Sequence, residues 1–82
     1  MTIELSKRAA KALEAVDKPT RARIAAGIRG IPKGDIKPMQ GYTDGRKRLR
    51  VGKYRIIFII AERDNEEILF VIDIGSRGDI YK

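Results

Sequence analysis

The 82-residue chain contains no cysteine, no histidine and no tryptophan. Without cysteine there is neither a disulfide nor a thiolate metal site. Without histidine no imidazole carries protons near neutral pH, which excludes the hydrolase and ribonuclease arrangements built on that side chain. Any catalysis falls to Arg, Lys, Tyr and carboxylates. No apolar run approaches the roughly 20 residues that span a bilayer. The segment Met1-Thr2-Ile3-Glu4-Leu5 lacks the basic and apolar stretches of a secretory signal. The expectation is a soluble cytoplasmic protein with no membrane partner. Acidic residues are scarce too: eleven Asp and Glu against eighteen Lys and Arg leave a formal charge of +7. That surplus favours a polyanionic partner, nucleic acid first, with an acidic protein as the plainer use of the same charge.

The length predicts one domain over residues 1–82. A chain of this size buries only roughly 60–65% of its unfolded surface, so the core is small. Thr2 to Leu5 alternates weakly and predicts a short strand. Ser6 is an N-cap for a helix to about Asp17, with Ala9, Ala12, Leu13 and Val16 on one face. Asp17-Lys18-Pro19-Thr20 is a break, and proline is tolerated in the first turn of the next helix. That helix runs to about Ile31 on a stripe of Ile24, Ile28 and Ile31. Gly27 and Gly30 weaken it by up to ~1 kcal/mol each and give room for close packing. Lys33 to Thr43, with two glycines, a proline and no sustained period, is read as a loop. Three strands follow: Arg46 to Val51, Tyr54 to Ala61, which is apolar nearly throughout and therefore central, and Glu67 to Ile74. Gly52 turns the first pair and Glu62 to Glu66 the second. Gly75 to Asp79 is read as a turn and Ile80 to Lys82 as a last short strand. The fold class is α+β, a helical hairpin on one face of a small, mainly antiparallel sheet, with the other face left for a ligand.

Six of the twelve residues from Arg46 to Ile57 are cationic, and Leu49, Val51, Ile56 and Ile57 between them place the charge on ordered strands. Strand alternation sets Arg46, Arg48 and Arg50 on one face and Lys47, Leu49 and Val51 on the other. With Leu49 and Val51 toward the helices, the arginines fall on the open face. There phosphate relieves their mutual repulsion and each guanidinium binds it with two donors. Charged protection of an edge strand is the plainer reading. Arg55 stands at the mouth of the central strand and requires either a carboxylate, Asp73 or Asp79, or an incoming anion. Arg77 lies in a glycine-flanked turn and Tyr81 follows four residues later. Asp64 and Asp73 are too isolated for a metal site, and no metal or cofactor is assigned.

The order of these pieces resembles the RelE/ParE toxin superfamily of type II toxin–antitoxin modules over essentially the whole chain. Ser6 to Leu13 with Asp17-Lys18-Pro19 is similar to its helical hairpin. Gly34-Asp35-Ile36-Lys37-Pro38 and Gly41-Tyr42 are similar to its loop. The specific part is Arg48-Leu49-Arg50-Val51-Gly52-Lys53-Tyr54-Arg55-Ile56-Ile57-Phe58, followed by Ile74-Gly75-Ser76-Arg77-Gly78-Asp79-Ile80-Tyr81. The RelE-like branch implies a ribosome-dependent endoribonuclease that cleaves mRNA in the ribosomal A site by attack of a 2′-hydroxyl on the adjacent phosphate. It also implies a cognate antitoxin that binds and neutralises the toxin as a hetero-oligomer. Carried onto this chain, the resemblance makes Arg48, Arg55, Arg77 and Tyr81 catalytic and Arg46, Lys47, Arg50 and Lys53 RNA-binding. Arg55 and Arg77 would stabilise the phosphorane and leaving oxygen, and Tyr81 would orient the nucleotide or assist proton transfer. Arg46 and Arg48 stand where that branch often has lysine, and Ser76 stands where it often has histidine. Arginine at such a position serves charge stabilisation better than proton removal. The ParE-like branch implies instead a DNA gyrase inhibitor without nuclease chemistry. A catalytically inactive RNA-binding relative is the third possibility.

Overall fold

The computed structural model describes residues 1–76. Its elements are β1 (Thr2–Leu5), α1 (Lys7–Ala15), α2 (Lys18–Arg29), β2 (Asp35–Pro38), β3 (Lys47–Val51), β4 (Tyr54–Arg63) and β5 (Glu66–Ser76). The strands form one five-stranded sheet in the order β1-β5-β4-β3-β2. All neighbours are antiparallel except β1 and β5, which pair in parallel. This is the α+β architecture expected, with β4 central.

Each helix begins where the sequence places a capping side chain. The Ser6 hydroxyl accepts from the Ala9 amide at 3.0 Å and donates to the Ile72 carbonyl at 2.5 Å, so one side chain starts α1 and fastens it to β5. Asp17 caps α2 rather than ending α1: its carboxylate accepts from the Thr20 hydroxyl at 2.6 Å and the Thr20 amide at 3.3 Å. The helical hairpin lays Ala9, Ile24, Ile28 and Ile31 on Leu49, Ile56, Phe58, Leu69, Val71 and Ile74, all buried. Ala12, Leu13 and Val16 border this core as the helical period predicts. Gly27 provides the close approach: a Cβ there would meet Val51 Cγ2 at 2.9 Å.

Three expectations need correction. The segment read as a loop after Lys33 contains β2, whose Ile36 pairs with Leu49 and packs on the core. Pro38 is compatible with a strand because β2 lies at the sheet edge, where a missing N–H costs no ladder bond. The β4–β5 connection is only Asp64 and Asn65, both at positive φ (53° and 64°), the backbone that matches the twist of paired strands. Glu62 and Glu66 therefore belong to the strands. Gly75 and Ser76 likewise continue β5, opposite Arg55 and Tyr54, rather than opening a turn.

A bulge in β5 decides which face two of its side chains use. Ile57 pairs with Asp73 but Phe58 pairs with Val71, so Ile72 is the extra residue. In an unbroken strand Asp73 would share the face of Leu69 and Val71 and enter the core. The bulge turns Asp73 to the open face and lets Ile74 take the core position instead.

Candidate functional site

The register arranges the cationic residues of the open face into two rows across the sheet. The first row runs Asp35, Arg50, Arg55, Gly75 and the second Lys37, Arg48, Ile57, Asp73. Their neighbours Ile36, Leu49, Ile56 and Ile74 all face the helices, which fixes these residues on the opposite side. Arg50 and Arg55 are therefore directly opposed. Cβ atoms in such a pair stand about 4.5–5.5 Å apart, and like charges there are destabilising. A bound anion reverses the sign of that interaction. Gly75, across from Arg55, carries no side chain of its own on this face.

Lys37 is a site residue that the sequence reading missed. Its signal was hidden because β2 was taken for a loop, and only the pairing with Arg48 brings it to the basic face. Arg46 stands just before β3 and is engaged locally. Its guanidinium donates to both carboxylate oxygens of Asp44 at 2.7–3.1 Å and lies 4.1 Å from the centroid of the Tyr42 ring. The hydrogen bonds from Arg46 hold the Asp44 carboxyl below its ordinary range. The cluster of arginines on the open face is thus Arg48, Arg50 and Arg55, with Arg46 tied down at its margin. Lys47 is exposed and shares the strand parity of Leu49 and Val51. Lys53 lies in the β3–β4 turn, next to Gly52 at φ +59°, and lines a cleft on the helix side.

Asp73 forms an ion pair with Arg8 of α1 at 3.8 Å, and its carboxylate also accepts from the Ile74 amide at 2.9 Å. The alternative partner named for Arg55, Asp79, lies outside the described residues, as do Arg77 and Tyr81. Among the described residues, then, the arrangement offers three guanidiniums and one ammonium within two strand rows, on a face that the helices do not cover. Such a surface can bind a phosphodiester through paired N–H donors and stabilise negative charge that grows on it.

Solved structures with the same fold include a YoeB/ParE toxin from Agrobacterium tumefaciens, with a TM-score of 0.79 at 20% identity over 94% of this chain and 99% of that one. The archaeal RelE–RelB complex from Pyrococcus horikoshii matches with a TM-score of 0.71 at 22% identity, covering 95% and 96%. The toxin–antitoxin complex RelBE2 from Mycobacterium tuberculosis matches with a TM-score of 0.71 at 19% identity, covering 93% and 96%. No curated protein matches the sequence. The family model described as the ParE toxin of the type II toxin–antitoxin system parDE matches residues 3–81. With the fold and the basic strand pair in place, that match makes this chain a type II toxin of the ParE toxin family, within the RelE/ParE superfamily.

Proposed function

We propose that this toxin is an endoribonuclease that cleaves mRNA on the ribosome. The observation that carries the reading is the opposition of Arg50 and Arg55 on the uncovered face, with Arg48 one row away. Strand pairing holds the two like charges side by side, with Asp35 next to Arg50 along the same row, and a phosphodiester is a ligand that two guanidiniums can grip together. In the proposed reaction a 2′-oxygen forms a bond to phosphorus as the bond to the 5′-oxygen of the next nucleotide breaks. The products are a 2′,3′-cyclic phosphate and a 5′-hydroxyl, with one proton passing from the attacking to the leaving oxygen. Arg48 and Arg55 would hold the charge on the phosphorane, joined by Arg77 and Tyr81. Arg50 and Lys37 would fix the backbone on either side. The cognate antitoxin would bring an acidic, amphipathic segment over this face, and a complex that leaves the face exposed would count against that part.

The experiment is induced expression of the protein and of Arg55→Ala, with new 5′ ends mapped across cellular mRNAs. Loss of one donor to the transition state is expected to cut cleavage by about 10²-fold or more. Full activity in the variant would remove Arg55 from the site. The ParE description of the matching family favours a second reading, inhibition of DNA gyrase by binding. Growth arrest with altered plasmid supercoiling and no new mRNA ends would establish that one instead.

A further inference from the structure

Lys53 belongs to the basic stretch in the sequence but not to its face in the fold. It lines a cleft of about 200 Å³ between the first half of α2 and the β3–β4 turn, together with Thr20, Arg23, Gly52 and Tyr54. Among the described residues no carboxylate lines this cleft. Neither Arg23 nor Lys53 makes an ion pair among the described residues. Asp17, whose oxygens accept from the hydroxyl and amide of Thr20, also interacts electrostatically with Arg23. The cleft walls are amphipathic: the Lys53 ammonium stands 5.6 Å from the centroid of the half-buried Tyr54 ring, with the buried Ile24 behind it. The volume is below the roughly 300–1,000 Å³ of a metabolite or cofactor pocket. It is several times the ~30 Å³ share of one water, enough for a phosphate group with part of its sugar.

We propose that this cleft is a second backbone-binding site, which takes a phosphate of single-stranded RNA on the opposite side of the sheet from the open-face arginines. Tyr54 and Arg55 are consecutive in β4, so their side chains leave opposite faces of the same end of the sheet. Val51 and Arg50 stand in the same relation in β3. A strand that bends around the Gly52–Lys53 turn would meet the Arg50–Arg55 row on one face and the Arg23–Lys53 pair on the other. The fork of Arg23 supplies paired donors, Lys53 a point charge, and Tyr54 a flat surface against the sugar or base. This inference rests on the nucleic-acid reading of the toxin. It adds a residue, Arg23, that lies outside the basic stretch of the sequence.

The test titrates the full chain with a fluorescent 2′-O-methyl RNA of twelve nucleotides, which 2′-hydroxyl attack cannot cleave. Affinity is measured against salt for the parent protein, Arg23→Gln/Lys53→Gln and Arg55→Gln, and the Gly52 and Lys53 amide resonances are followed in the parent and in Arg55→Gln. The expected result is a shift of both amides in both proteins. The double variant should bind about tenfold more weakly, its log–log salt slope shallower by about 0.7 for the one phosphate lost. Unshifted amides with an unchanged slope in the double variant would overturn the proposal. A loss confined to Arg55→Gln would then leave the ribonuclease reading standing. Amides shifted by a poly-glutamate peptide and not by RNA would also overturn it, and assign the cleft to an acidic protein. Absence of RNA binding by the parent at low salt overturns it too, whereas the map of mRNA 5′ ends decides the ribonuclease reading independently.

Discussion

The guanidinium of Arg21 donates to the carbonyls of Leu13, Glu14 and Val16 at 3.0–3.1 Å, the groups that α1 leaves without an intrahelical partner at its end. Arg21→Ala hands them back to water and is expected to lower stability by about 1–2 kcal/mol. Arg21→Lys should recover only part of this, since one ammonium cannot reproduce a planar fork. Urea unfolding of the three proteins checks it, and an unchanged midpoint in the alanine variant would show that water replaces the fork at no cost. Acid sensitivity also has a residue-level origin. The hydroxyl and then the amide of Thr20 hold the Asp17 carboxyl below its ordinary range, and Arg46 does the same for Asp44. A carboxyl whose folded pKa is depressed contributes stability above its unfolded pKa, and loses it as pH falls through the folded value. Melting temperature should therefore fall on acidification through and below the carboxylate range, less steeply in Asp17→Ala. Parallel pH profiles for variant and parent would sink this assignment.

At the scale of elements, α2 sets helix propensity against packing at Gly27. Alanine gains up to ~1 kcal/mol in a helix, yet its Cβ would lie 2.9 Å from Val51 Cγ2 and 3.5 Å from Leu49 Cδ2. Valine is stiff about χ1 and yields poorly, and overpacking costs typically 1–3 kcal/mol. Gly27→Ala is expected to destabilise by about 1 kcal/mol. Gly30→Ala, whose Cβ finds only ordinary contacts at 3.5 Å, should be neutral or stabilising. Thermal melts of the pair decide it, and a stabilised Gly27→Ala would mean that β3 yields easily. The helices and the inner strands were legible because their signals are local: caps at Ser6 and Asp17, a stripe of isoleucines, and apolar runs too short for helices. β2 was not, because Pro38 and the flanking glycines speak for a loop and only the partner strand overrides them. The face of Asp73 was not either, since one bulged residue changes the parity of everything after it.

The molecule as a whole keeps its helices on one side of the sheet and divides the other side by chemistry. One end carries Lys37, Arg48, Arg50 and Arg55. The other holds a shallow apolar hollow of about 390 Å³ that includes Ile59, Ile68 and Phe70, rimmed by the Arg63–Glu4 ion pair. Strand alternation made the arginine part of this division readable from Arg48 to Arg55. The Arg23–Lys53 cleft was beyond reach, because it joins a helix to a turn some thirty positions away. The order of strands has one more consequence. β5 sits between β1 and β4 and pairs with both, joining Thr2 to Ile68 and Leu5 to Val71. A chain still emerging from the ribosome without that segment has no partner for β1 and only one neighbour for β4. Its core lacks Leu69, Val71 and Ile74. The toxin thus completes its sheet only once β5 has been synthesised and has cleared the exit tunnel. Until then the ribosome that makes it holds an unfinished fold.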